Sequence, residues 1–196
     1  VVAPNSPQSG KGHAITINST LTFEEINLEG PQKDYSLSGT PVDCVKFALD
    51  KILTRKPDIV VSGINHGANS SINVIYSGTM SAAVEAGVEG LQAIGFSLLD
   101  FSWDADFTQA KSHIQEIVKK VLENPMPKGV VLNVNIPKLA KDQIKGIRVC
   151  KQADAKWEES FDQRVNPHGK TYFWLSGYFN NMDTSPDADE VALSEG

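Results

Sequence analysis

Apolar positions along the chain fall into two kinds of stretch, and the two kinds alternate. Short, continuous, β-branched runs predict strands buried in a parallel sheet: VVA at the start, DIVVSG, QAIGFSLL and GVVLNVNIP. Between them lie stretches with helical spacing. Val42, Val45, Leu49 and Ile52 give one apolar face to a helix that Thr40 caps and Pro41 starts. Asp43 sits in its first turn, near the positive end of the dipole, and the helix is expected to end near Arg55. TMSAAVEAGVEG predicts a helix with small residues for close packing. FTQAKSHIQEIVKKVLEN predicts an amphipathic helix with Ile114, Ile117, Val118, Val121 and Leu122 on one face. Strand-helix alternation of this kind predicts an α/β fold with a doubly wound, mostly parallel sheet over residues 1–144. From about Lys145 the character changes: GIRVCKQ and TYFWLSGYFN, punctuated by Gly, Pro and Asn, predict strands and hairpins. Residues 145–196 are therefore expected to form a β-rich extension that packs on a neighbouring subunit.

Composition narrows the function. The chain has 196 residues, 40% hydrophobic and 21% charged, which is globular rather than disordered. A net charge of -6 gives no long-range attraction for duplex DNA, RNA or an anionic membrane. The cysteines, Cys44 and Cys150, form no metal-binding or redox motif and read as small buried apolar residues. Together with the lack of a signal peptide or an apolar run long enough to span a bilayer, this predicts a cytoplasmic protein. The start at VVAP, apolar and without an initiator Met, and the abrupt end at ALSEG predict flanking segments beyond both ends.

In an open parallel sheet, ligands bind beyond the carboxyl ends of the strands. Two loops leave such ends: PNSPQSGKG, and SGINHGANSSINVIYSGT. Both are rich in Gly, Ser and Asn, which let backbone N–H groups approach an anion. The second ends in Tyr76-Ser77-Gly78-Thr79 at a helix start, where free N–H groups and the dipole favour phosphate. Ser77 or Thr79 could equally just cap the helix. Asn65 is either a turn residue or an amide oxygen offered to a hard cation, and Ser9 has the same two readings. His66 lies in the same loop, either lining the site or exposed. No Gly-x-Ser-x-Gly elbow, Walker A lysine motif or Gly-x-Gly-x-x-Gly occurs.

Several of these stretches, in order, resemble one family. VVAP...SG, GTPVDCV, KPDIVVSGINHGAN, VIYSGTMSAAVEA, VNVNIP and NPHGKTYFWLSG are similar to the SurE (survival protein E) family, over nearly the whole chain. The resemblance implies a Rossmann-like domain with a swapped C-terminal extension that makes homodimers or homotetramers. It implies a metal-dependent 5'/3'-nucleotidase that releases phosphate from nucleoside monophosphates. It implies a divalent cation, Mg²⁺ or Mn²⁺, held by an Asp-Asp pair, Ser9 and Asn65, and a phosphate site at Gly10, Asn69, Ser77, Gly78 and Thr79, with Asn69, Ser77 and Thr79 in catalysis. The Asp-Asp pair has no counterpart here, since the family places it upstream of the equivalent of Val1. Ser9 and Asn65 alone are neutral ligands, so this stretch by itself is not expected to hold a divalent ion tightly or to be active. A different class of function on the same scaffold is a non-catalytic phosphate- or nucleotide-binding module.

Overall fold

The computed structural model describes residues 1–28, 30–140 and 142–196. The chain is α/β. Its central sheet is parallel in the order β4-β5-β6: β4 (Val60–His66), β5 (Ala93–Leu98) and β6 (Leu132–Ile136). Helix α2 (Gly78–Val88) links β4 to β5, and α3 (Thr108–Glu123) links β5 to β6. The two helices cover opposite faces. Ile94, Phe96 and Leu98 of β5 pack with Ile117 and Val121 of α3, whereas Ala93 packs with Met80, Ala83 and Ala86 of α2. All six residues of β5 are buried, as a continuous apolar run between two helical layers requires.

A second sheet has the order β1-β3-β2. In it β1 (Val2–Pro4) pairs in parallel with β3 (Asp34–Leu37), and β2 (Phe23–Ile26) pairs antiparallel with β3. Helix α1 (Pro41–Phe47) follows β3 and packs against α2. Its start is as expected. Thr40 Oγ1 accepts from Asp43 N–H at 3.1 Å, and Asp43 Oδ2 accepts from Thr40 N–H at 2.8 Å. This reciprocal box satisfies two donors that the first turn would otherwise leave free. The helix then widens into one π turn over Ala48–Ile52, closed by the bond from Leu53 N–H back to Ala48 O, and stops at Leu53, short of Arg55, where the backbone turns extended (φ -83, ψ 134).

Other expectations need correction. DIVVSG is not buried on both faces: β4 pairs only with β5 among the described residues, and Val61 is 47% exposed. Leu122 is half exposed, since α3 turns Ile117 and Val121 to the sheet instead. GIRVCKQ forms no strand; only Lys151 bridges to Ala188. Cys44 is buried, and burial pushes its thiol up to about 12, so it is inert; Cys150 is only half-buried. Beyond residue 150 the chain makes a long antiparallel hairpin, β7 (Ala155–Val165) with β8 (Thr171–Asn181), and then helix α4 (Asp189–Glu195). Beyond its base the hairpin is largely exposed, including Phe161, Trp174 and Tyr178. No helix among the described residues is long and apolar enough to cross a membrane.

Candidate functional site

The carboxyl ends of β1 and β4 and the amino end of α2 meet at a cleft of about 420 Å³. Ser9, Asn65, Gly78 and Thr79 all line it, together with Asn5 and Gln8. Residues distant in sequence are thus brought to one place: Asn65 and the start of α2 lie at the carboxyl end of the central sheet, and the loop that follows β1 in the second sheet is held against them by the Gly12 N–H bond to Tyr76 O.

Asn65 reaches the cleft through a β-bulge. Ser62 pairs with Gly95, but Asn65 pairs with Ser97, so β4 carries one residue more than β5 across this interval. Gly63 lies within it, at φ +115, with Phe96 O packed where a Cβ would stand. Only glycine suits that backbone. The extra residue re-aims the strand end, a common use of bulges beside functional sites. The Asn65 amide is then fixed in orientation. Its Nδ2 donates to His66 O at 2.9 Å and to Gly67 O at 2.8 Å. Two carbonyl acceptors identify that end as the NH₂, and Oδ1 is turned towards Thr79 Oγ1, 3.5 Å away.

The helix start is divided between capping and cleft. Ser77 is 7% exposed, and its Oγ accepts from Met80 N–H at 3.0 Å. Ser81 N–H goes to Ser77 O. The first N–H groups of α2, on Gly78 and Thr79, have no intrahelical acceptor and lie where those residues line the cleft. Ser77 thus shapes the helix start from behind, while Thr79 carries a hydroxyl on the cleft side.

Asn69 is buried, and its contacts tie the loop to the sheet. Its Nδ2 donates to Ser97 Oγ at 2.7 Å, and its N–H donates to Asn135 Oδ1 at 2.7 Å. Asn133 Nδ2 donates to Asn69 O, and Asn65 Nδ2 lies 3.5 Å from Asn69 Oδ1. The structure therefore sets Asn69 behind Asn65 rather than on the cleft wall. His66 is outside the cleft lining: its Nδ1 faces Ser102 O at 3.0 Å and its ring meets Phe107 edge-on. Gly10, at φ +75, follows Ser9 and is exposed.

The first loop is anchored by residues outside the cleft lining. Gly12 N–H donates to Tyr76 O, and Ile75 O lies 2.7 Å from where a Gly12 Cβ would sit, so a side chain would push the two loops apart. His13 Nε2 meets Glu85 Oε2 at 2.8 Å, and Lys46 pairs with the same carboxylate. Asp43 accepts from Thr16 N–H and Oγ1, and Thr40 Oγ1 donates to Ala14 O. Burial alone would raise both carboxyls, but hydrogen bonds from Lys46 and His13 to Glu85, and from Thr16 and Thr40 to Asp43, hold each below its ordinary value. Asp100, bonded to the Ser102 hydroxyl and Lys138, is lowered from 3.8 to about 2. A depressed carboxyl stabilises the fold above its ordinary pKa, and that contribution is lost as pH falls through the folded value. Urea unfolding midpoints are therefore expected to fall as pH drops from 3.8 towards 2, and to fall less steeply in Asp100→Asn.

The donor set has a clear chemical character. Asn65 Oδ1 and the Ser9 hydroxyl are hard oxygen ligands, and Gln8 Oε1 is buried without a partner among the described residues. These suit a hard divalent cation rather than a soft one. No carboxylate lines the cleft, and no cluster of His, Cys, Asp or Glu with metal-holding geometry occurs among the described residues. The set thus fits such a cation in kind but lacks charge.

The sequence profile described as Survival protein SurE matches residues 1–159. The protein named 5'-nucleotidase SurE from Christiangramia forsetii is 64% identical over 198 residues, spanning all of this chain and 76% of that protein. The protein of the same name from Phocaeicola vulgatus is 42% identical, again over all of this chain and 76% of its own length. The crystal structure of SurE protein from Aquifex aeolicus superposes with a TM-score of 0.83 at 35% identity, covering 100% of this chain and 77% of that one. With the profile matching most of the chain and relatives matching all of it, the chain belongs to the SurE family.

Proposed function

We propose that the protein hydrolyses nucleoside monophosphates to nucleoside and phosphate, as a metal-dependent 5'-nucleotidase. The observation that carries this reading is the convergence of Ser9, Asn65, Thr79 and the open N–H groups of α2 on one cleft. The family supports it, since its relatives carry that activity in their names. Substrate phosphate lies against the Gly78 and Thr79 N–H groups, where the helix dipole favours its charge. Those N–H groups and the Thr79 hydroxyl are fixed before the reaction and stabilise charge developing on the transferring phosphoryl group. Asn69 keeps Asn65 in register, and Ser77 keeps the helix start open. Ser9 and Asn65 would hold a divalent cation such as Mg²⁺ or Mn²⁺, which would supply neutralisation of phosphoryl oxygens and activation of water there. An acidic pair of the kind the family resemblance implies would add the charge that these neutral ligands lack.

The extension over 145–196 serves assembly as a homodimer or homotetramer. The exposed apolar row on one face of β7–β8, with Phe161 71% and its cross-strand partner Leu175 57% exposed, supports that role. A cytoplasmic setting suits the unpaired thiols of Cys44 and Cys150. The test is phosphate release by the full-length protein from the 5'- and 3'-monophosphates of adenosine, guanosine and uridine. Turnover of these esters is expected. Saturable binding of a monophosphate without release would replace hydrolysis with a binding role.

A further inference from the structure

The segment between Asn69 and Ser77 joins the Asn65 side of the candidate site to its α2 side, yet its middle is held by the far end of the chain. Ser70 Oγ donates to Glu190 Oε1 at 2.5 Å, and Ser71 N–H donates to Asp189 Oδ2 at 2.8 Å. Asp189 Oδ1 also accepts from Ala153 N–H at 3.0 Å, and Ser71 Oγ donates to Ala153 O at 2.9 Å. Trp157 Nε1 donates to Asn73 Oδ1 at 2.8 Å. Ser70 and Ser71 are each 1% exposed, so these partners stand in for water that cannot reach them.

Ser71 has φ +50. A serine in that left-handed region is disfavoured, and it persists only where the surroundings over-determine it. Here its N–H and its hydroxyl are both tied to the base of the C-terminal arm. One residue before it, Ser70 follows the Asn69 amide that touches Asn65. Beyond it, the 3₁₀ turn Ser71–Tyr76 leads to Ser77 and the α2 start, and Tyr76 O accepts from Gly12 in the Ser9 loop.

We infer that Asp189 and Glu190 are positioning residues for the cleft: they lock the Ser70–Ser71 turn, and through it set Asn69, the amino end of α2 and the Ser9 loop. The arm that begins at residue 145 is thereby coupled to substrate binding. Anything that displaces the base of the arm loosens the phosphate end of the site. The inference rests on the cleft being the hydrolytic site.

The test uses the full-length protein with Asp189→Ala and Glu190→Ala. Each is expected to raise KM for a nucleoside 5'-monophosphate by about tenfold, the size of one lost charge-assisted hydrogen bond. Glu190→Gln, whose amide oxygen still accepts from Ser70, is expected to stay within about twofold of wild type. Amide exchange over residues 69–78 is expected to quicken in the alanine variants while α3 and β5 stay protected. A merely structural role would lower the folded fraction and leave KM alone. If an alanine variant does not fold, Ser70→Ala and Asp189→Asn give the same two readouts, the latter because asparagine has one acceptor oxygen where Asp189 accepts N–H groups at two. Folded variants with wild-type KM and wild-type exchange over 69–78 would overturn the inference. A wild-type protein that releases no phosphate would overturn the proposed hydrolysis instead, and the exchange experiment would still decide whether the latch exists.

Discussion

Asn65→Ala is expected to weaken metal-dependent phosphate release by about 100-fold, with most of the loss in the metal concentration needed for half-maximal rate. The side chain does two things at once. Its Nδ2 secures the backbone at His66 and Gly67, and its Oδ1 is the amide oxygen turned to the cleft. Alanine removes the ligand and frees the loop behind it. Aspartate is not expected to substitute cleanly. It supplies a charged oxygen, but it sets a second carboxylate oxygen against two carbonyls that now accept from an NH₂. The measurement is a Mn²⁺ titration of initial rate for wild type and both variants. An unchanged metal midpoint in Asn65→Ala would remove Asn65 from the metal site.

Phe96→Ala is expected to cost about 3–5 kcal/mol of stability, which for a domain of this size lowers the melting temperature by roughly 10 °C. Phe96 is fully buried in the middle of β5, within the cluster that includes Ile94, Leu98, Ile117 and Val121. Truncation leaves a cavity between sheet and α3 that the surrounding strands cannot close without breaking their parallel register. The cleft lies at the strand ends, away from this core, so KM for substrate at low temperature is expected to stay near wild type. Thermal unfolding followed by circular dichroism, with KM measured well below the transition, separates the two effects.

The parts of this structure that local sequence could announce were announced. Thr40, Pro41 and Asp43 mark a helix start because the capping box is made within four consecutive residues. The apolar run of β5 is legible because burial on both faces leaves no polar position. Asn65 and Thr79 were legible as neighbours because the polar loop leaves the carboxyl end of a parallel strand and runs into a helix start, and Ser9 joins them from the loop after β1. The pairing of β2 with β3 was not legible, since Phe23–Ile26 carries two glutamates on an exposed edge and lacks an apolar period. The bulge at Gly63 was not legible either. It is a mismatch between two strands, and neither strand alone records it. His13 with Glu85, and Asp189 and Glu190 with Ser71 and Ser70, join residues 72 to 120 positions apart. Their side chains are ordinary surface types, and only the folded topology shows that they are partners. GIRVCKQ misled for the converse reason: its alternation suits a strand, yet only Lys151 finds a bridging neighbour in the fold.

The central claim is that the cleft at Ser9, Asn65 and Thr79 is a metal-assisted phosphomonoester site. Its most direct test is phosphate release from a nucleoside 5'-monophosphate by the full-length protein, first with Mn²⁺ or Mg²⁺, then after EDTA, then after the metal is restored. Release that EDTA abolishes and restored metal recovers is the predicted result. Release that continues undiminished in EDTA, or a folded protein that releases none with either metal, would contradict it.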